Sequence, residues 1–155
     1  MKFEISSHAG ELDEETLDEV WDHLQELNLP VPDISDSVIS FFATINGVVP
    51  LACYVNGLRV SRFLNFCNDY LAENREIAEW HIVRNRRWIA DRLDPYVIPI
   101  AEFAHGDYLC LDFSKIDSVS AVKWNHEQSS PGKPEYELVA TDLESLMTIL
   151  NSNQS

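Results

Sequence analysis

From Asp94 onward, turn-forming residues cut the chain into short apolar runs, and that spacing constrains the fold most. Val97–Phe103 is the first run, Ala104-His105-Gly106-Asp107 the turn after it, and Tyr108–Phe113 the second run. Ala121–Asn125 and Tyr136–Ala140 are the third and fourth, with the loop Ser129-Ser130-Pro131-Gly132-Lys133-Pro134 between them. The second run alternates as Tyr-Leu-Cys-Leu-Asp-Phe, which is the two-residue period of a strand. Short strands this closely spaced favour an antiparallel sheet. Upstream, Asn56-Gly57 divides Ala52–Val55 from Leu58–Phe63. Both central residues tolerate positive φ, so this segment reads as a hairpin.

Three-to-four-residue spacing appears elsewhere. Leu17, Val20, Trp21, Leu24 and Leu27 form an apolar stripe that predicts a helix over 13–27. Asp13 can cap it, and Glu14 and Glu15 suit the positive end of the helix dipole. Leu29-Pro30-Val31-Pro32 stops that helix. Ile34, Val38, Ile39, Phe42 and Ile45 form a second stripe, ended by Asn46-Gly47. The two helices should pack as an αα-hairpin. Residues 65–93 lean to helix, and Leu143, Leu146, Met147 and Leu150 predict a last helix starting at Thr141 or Asp142. Helices before, within and after a run of strands mean α+β: an antiparallel sheet flanked by helices, with an N-terminal αα-hairpin and a C-terminal helix. With no repeat or linker, residues 1–155 read as one domain.

Charge narrows the partners. Eleven Lys and Arg stand against 26 Asp and Glu, a net charge of −15. Nucleic acid or an anionic membrane would be repelled as a main partner, while a basic protein would be attracted. Residues 1–36 carry 11 of the acids and one base. Asp18, Asp22 and Glu26 lie on the polar side of the predicted first helix. Such a run is usually a solvated face; its functional reading is an electrostatic docking surface. Arg75, Arg84, Arg86, Arg87 and Arg92 cluster in the middle of the chain. They are expected to pair with the chain's own acids, since no Gly-rich loop marks a phosphate site.

Three cysteines without CxxC spacing fit a reducing cytoplasm. The N-terminus lacks the apolar core of a signal peptide, and no run approaches the length of a membrane span. His105, Asp107, Asp112, His126 and Glu127 are the candidate reactive groups. His105-x-Asp107 and His126-Glu127 would need to meet across strands to hold a metal. Their spacing matches neither HExxH nor a three-ligand zinc set, and no GxSxG, P-loop or dinucleotide fingerprint is present. Neither a catalytic residue nor a metal or cofactor is expected.

Five segments in order carry a family resemblance. They are Leu29-Pro30 with a helix ending Phe41-Phe42-x-x-x-Asn46-Gly47; Ile98-Pro99-Ile100-Ala101; Gly106-Asp107-Tyr108-Leu109-Cys110-Leu111-Asp112; Val122-Lys123-Trp124-x-His126-Glu127; and Leu138-Val139-Ala140-x-Asp142-Leu143-x-x-Leu146. Over about 16–150 the chain resembles the SUKH superfamily, the SMI/KNR-like group that includes many bacterial immunity proteins. The resemblance implies an α+β fold and a non-catalytic protein that binds and neutralises a cognate polymorphic or contact-dependent toxin, often a nuclease. Eukaryotic members imply the alternative of a regulatory scaffold; a small metal-dependent hydrolase is the more distant alternative.

Within these motifs Asp107, Tyr108, Trp124, His126 and Glu127 have two readings. Gly106 and Asp107 serve a turn, Trp124 alternates with Val122 into a core, and His126-Glu127 closes a strand. Alternatively, the five border one concave face that grips a partner, with aromatic anchors inside a charged rim.

Overall fold

The computed structural model describes Thr16, Asp18, Asp22 and residues 36–66, 79–115 and 118–152. Thr16, Asp18 and Asp22 are helical, as expected within 13–27. The rest of that segment, Glu26, the Pro30–Pro32 turn and thus the αα-hairpin lie outside the described residues.

Helix α1 (Asp36–Ile45) buries Val38, Phe41, Phe42 and Ile45, the stripe its spacing dictates. It stops at Asn46-Gly47, where Gly47 takes φ 71°. The stop is also a strap. Gly47 N–H donates to the Leu64 carbonyl at 3.1 Å, and the buried Asn46 Oδ1 accepts from Phe66 N–H at 2.8 Å.

Strands β1 (Tyr54–Val55) and β2 (Leu58–Phe63) form the expected hairpin, with Asn56 at φ 50° and Gly57 at φ 79°. Positive φ at both positions matches the right-handed twist of the flanking strands. Strand β1 is shorter than expected, because residues 51–52 bend after Pro50. Of residues 79–93, Ile82–Trp88 form helix α2 and Ala90–Arg92 a 3-10 turn. His81 caps α2, its Nδ1 accepting from Val83 N–H at 3.2 Å.

Strands β3 (Val97–Phe103), β4 (Tyr108–Asp112), β5 (Ser120–Trp124) and β6 (Tyr136–Ala140) follow. All six strands pair antiparallel with their sequence neighbours, in the order β1-β2-β3-β4-β5-β6. Proline is normally barred from a central strand, but Pro99 sits beside the register shift between Pro99 and Ala101, where a missing N–H costs least. Helix α3 (Leu143–Ser152) buries Leu146 and Leu150. Asp142 Oδ1 caps it, accepting from Ser145 N–H, which holds the carboxyl below its usual pKa.

Alternation gives the sheet two buried faces. Ile98, Ile100, Leu109 and Leu111 join the core that includes α1 and α3 residues. Val97, Cys110, Val122 and Trp124 form a second core with Ile89 and Leu93, next to α2 and the 3-10 turn. The described chain is therefore α+β, as expected. No helix among the described residues is long and apolar enough to cross a membrane.

Candidate partner-binding surface

The motif residues meet where the β3–β4 turn approaches the end of β5. His105 (φ 132°) and Gly106 (φ 87°) reverse the chain, and Phe103 N–H donates to the Asp107 carbonyl at 2.9 Å. Asp107 then uses its carboxylate across the sheet: Oδ1 accepts from His126 N–H at 2.8 Å. A bond to a charged acceptor is stronger than a neutral one, so it pins turn to strand end. The His126 ring lies over Gly106, where an added Cβ would sit 3.6 Å from Cδ2. His126 and Glu127 are exposed, and Asp107 and Tyr108 are half-buried.

Trp124 does not belong to this rim. It is fully buried, and the reading of it as a partner anchor is corrected. Alternation along β5 turns it inward with Val122. Its Nε1–H donates to the Arg92 carbonyl at 2.8 Å, and the Arg92 guanidinium lies 5.4 Å from the ring centre. Its ring stands between Tyr108 at 5.9 Å and His126 at 5.8 Å. Trp124 thus backs the rim from inside.

Tyr108 is held from the other side. Its hydroxyl donates to Asn85 Oδ1 at 3.0 Å. The buried Asn85 donates through Nδ2 to the carbonyls of Glu79 (3.0 Å) and His81 (2.9 Å). Burial, with Glu102 and Cys110 adding, pushes the Tyr108 phenol up to about 12. Tyr136 is raised too, mainly by burial, and its oxygen accepts from Asp94 N–H at 2.9 Å.

Asp18 and Asp22 stand apart from this cluster. Four residues apart on a helix, they share a face, and both are exposed while Thr16 is buried. Among the described residues neither makes an ion pair, and no bond or ring contact joins them to Asp107 or His126. Glu26 lies outside the described residues.

Among the described residues no three His, Cys, Asp or Glu side chains gather closely enough to hold a metal ion. Cys53 and Cys110 are buried free thiols. Burial raises both, Cys53 to about 11 and Cys110 further. They stay protonated at neutral pH and are poor nucleophiles.

The arginines depart from expectation. Arg75 lies outside the described residues; of the other four only Arg92 pairs with an acid among the described residues, its neighbour Asp91 at 3.6 Å. Arg86 instead donates from Nε to the Val97 carbonyl (3.2 Å) and from a terminal nitrogen to the Pro95 carbonyl (2.8 Å). Burial lowers its pKa. Arg84 lies 5.2 Å from the ring centre of Trp88, which is 65% exposed. An exposed Trp beneath an Arg has the composition of a binding hot spot. The i, i+4 spacing of Arg84 and Trp88 was the sequence signal for this pair. A second feature missed from sequence is an open groove of about 310 Å³ between α1 and α3, with Phe41, Leu143 and Met147 at its apolar lining and Ser37, Ser40 and Thr44 beside them.

Comparison with protein-family models, with curated proteins and with solved structures finds no match.

Proposed function

We propose that this chain is a non-catalytic, cytoplasmic immunity protein of the SUKH type, which neutralises a basic toxin by binding it. The observation that carries the reading is the placement of charge. Asp18 and Asp22 are exposed on one helical face, while Arg86 and Arg92 are occupied by backbone carbonyls and an aromatic ring within the fold. The surface field of the −15 chain is therefore set by its acids. Nuclease toxins need basic surfaces to hold phosphates, and an acidic protein competes for them. Complementary fields also raise the encounter rate. The order of the SUKH-like segments supports the family. Asp107, Tyr108, His126 and Glu127 supply a second contact region, with a pinned backbone and exposed polar tips.

The test uses the toxin encoded beside this gene. Co-expression should rescue growth, and the two proteins should co-purify. Replacing Asp18 and Asp22 by Asn and Glu26 by Gln should slow association by roughly tenfold at low salt and flatten its salt dependence, with the fold unchanged. No rescue and no complex would refute the immunity reading. An unchanged on-rate would reduce the acidic face to a solubilising surface.

A further inference from the structure

Strand β6 ends the sheet order, and among the described residues its outer side faces no other strand. Asn125 N–H donates to the Glu135 carbonyl at 2.9 Å. From there the register runs Trp124↔Tyr136, Lys123↔Glu137, Val122↔Leu138. Bonded and non-bonded pairs alternate in an antiparallel ladder. Glu137 therefore bonds back to β5, while the N–H and C=O groups of Tyr136 and Leu138 point outward. Among the described residues no backbone bond reaches them from that side. Leu138 is 61% exposed.

Edge strands are usually blunted by lysine, proline or a bulge within the strand. Here the free stretch has no lysine. Pro134 lies before it, and the register shift between Ala121 and Val122 falls after Leu138. Among the described residues the edge is thus short, bounded and open. Acids dominate its charge: Glu137 is exposed on the strand and Glu135 just before it, Asp142 and Glu144 follow, and Lys133 precedes Pro134. Lys123 reaches Glu137 at 3.0 Å, but that carboxylate side chain keeps half its exposure.

We infer that the outer edge of β6 is a docking site for an extended partner segment in which basic and apolar residues alternate. The partner's backbone pairs with Tyr136 and Leu138. Its apolar side chains lie along Leu138, and on the other face its bases meet Glu135 and Glu137, as the two-residue side-chain period requires. The acidic composition rules against a second acidic segment, including another copy of this strand. Only the identity of the partner rests on the immunity reading; the binding itself is measurable without a toxin.

The experiment is fluorescence anisotropy with a short labelled peptide of alternating arginine and valine. The intact protein should bind it, with affinity falling as salt is raised. Leu138→Arg should weaken binding by roughly tenfold or more while leaving the circular dichroism spectrum and melting temperature unchanged. A peptide of the same composition with the arginines in one block should bind more weakly, as should one N-methylated at the edge-facing amides. Equal binding by Leu138→Arg, or indifference to both N-methylation and residue order, would overturn the proposal, because general charge attraction would then suffice. Concentration-dependent dimerisation abolished by Leu138→Arg would also overturn it, assigning the edge to a second copy. Failure here together with rescue by co-expression would leave the immunity reading standing.

Discussion

Tyr108→Phe tests whether the rim is held from inside. The substitution removes one hydroxyl and keeps the ring against Trp124. It leaves Asn85 Oδ1 without its 3.0 Å donor, while Asn85 Nδ2 keeps its two carbonyls. A buried acceptor left unpaired costs about 1–3 kcal/mol. Tyr108 is only half-buried, so water recovers part of that, and removing the phenol's own desolvation offsets a little more. The net expectation is about 1–2 kcal/mol, read as a lower urea midpoint with an unchanged slope. Asn85→Ala should cost more, because it also takes the Nδ2 donor from the Glu79 carbonyl, while the His81 carbonyl keeps its bond from the Asn85 backbone N–H. In a double-mutant cycle the two changes should couple by roughly 1 kcal/mol. A Tyr108→Phe protein within about 0.3 kcal/mol of the parent, with no coupling to Asn85, would refute this account.

The same variant has a signature in alkali. The Tyr108 phenol is raised to about 12 by burial, against about 10 in an unfolded chain. A folded-state value above the unfolded one means stability that is complete below pH ~10 and lost as pH climbs through the folded value. Phe cannot titrate, so Tyr108→Phe should flatten the fall in stability between about pH 10 and 12. Tyr136, raised in the same direction, should keep a residual slope.

Two further expectations follow from the turn and from β3. Gly106→Ala places a Cβ in ordinary contact with the His126 ring at 3.6 Å, so its cost should be the backbone strain of φ 87°, about 1–2 kcal/mol by chemical denaturation; no cost would mean the turn is not held in that conformation. Glu102→Gln should raise the denaturation midpoint at pH 7, because burial raises the Glu102 carboxyl despite nearby Arg62. The carboxyl's contribution is complete below its unfolded value of about 4.3 and lost as pH rises through the folded value, so the gain should vanish below about pH 4.

The strands were legible because their signals are local. Period-two alternation and turn residues place β3 and β6 at their observed ends, and Asn56-Gly57 carries its hairpin in two adjacent residues. The site was less legible because its bonds are not local. Asp107 and His126 are 19 residues apart, and Tyr108 and Asn85 are 23 apart. Nothing in either residue's neighbours announces the pairing. Trp124 was ambiguous for a different reason. An aromatic at a strand end suits a core and a binding face equally, and what decides between them is α2 and its 3-10 turn, whose position no local pattern fixes. The arginine cluster misled because charge counting ignores carbonyls, which Arg86 takes as its acceptors.

Arg86 and the pair Asp18 and Asp22 are therefore held differently, and that difference bears on function. Arg86 ties α2 to the segment entering β3 through two carbonyls, so its cation is part of how the second face of the sheet is covered. Removing it would leave acceptors unpaired and should cost stability. Asp18 and Asp22 make no ion pair among the described residues and are exposed. Self-repulsion across a −15 chain opposes the compact state, so neutralising them should leave stability unchanged or raise it slightly. Beyond that self-repulsion, charge that the fold does not use acts on what approaches from outside. A solubilising surface and a docking surface both meet that description, and they part on kinetics. Solubility needs net charge anywhere on the molecule, whereas steering depends on where the charge sits. Asp18→Asn should therefore slow capture of a basic partner more than Glu144→Gln on α3, which removes the same single charge.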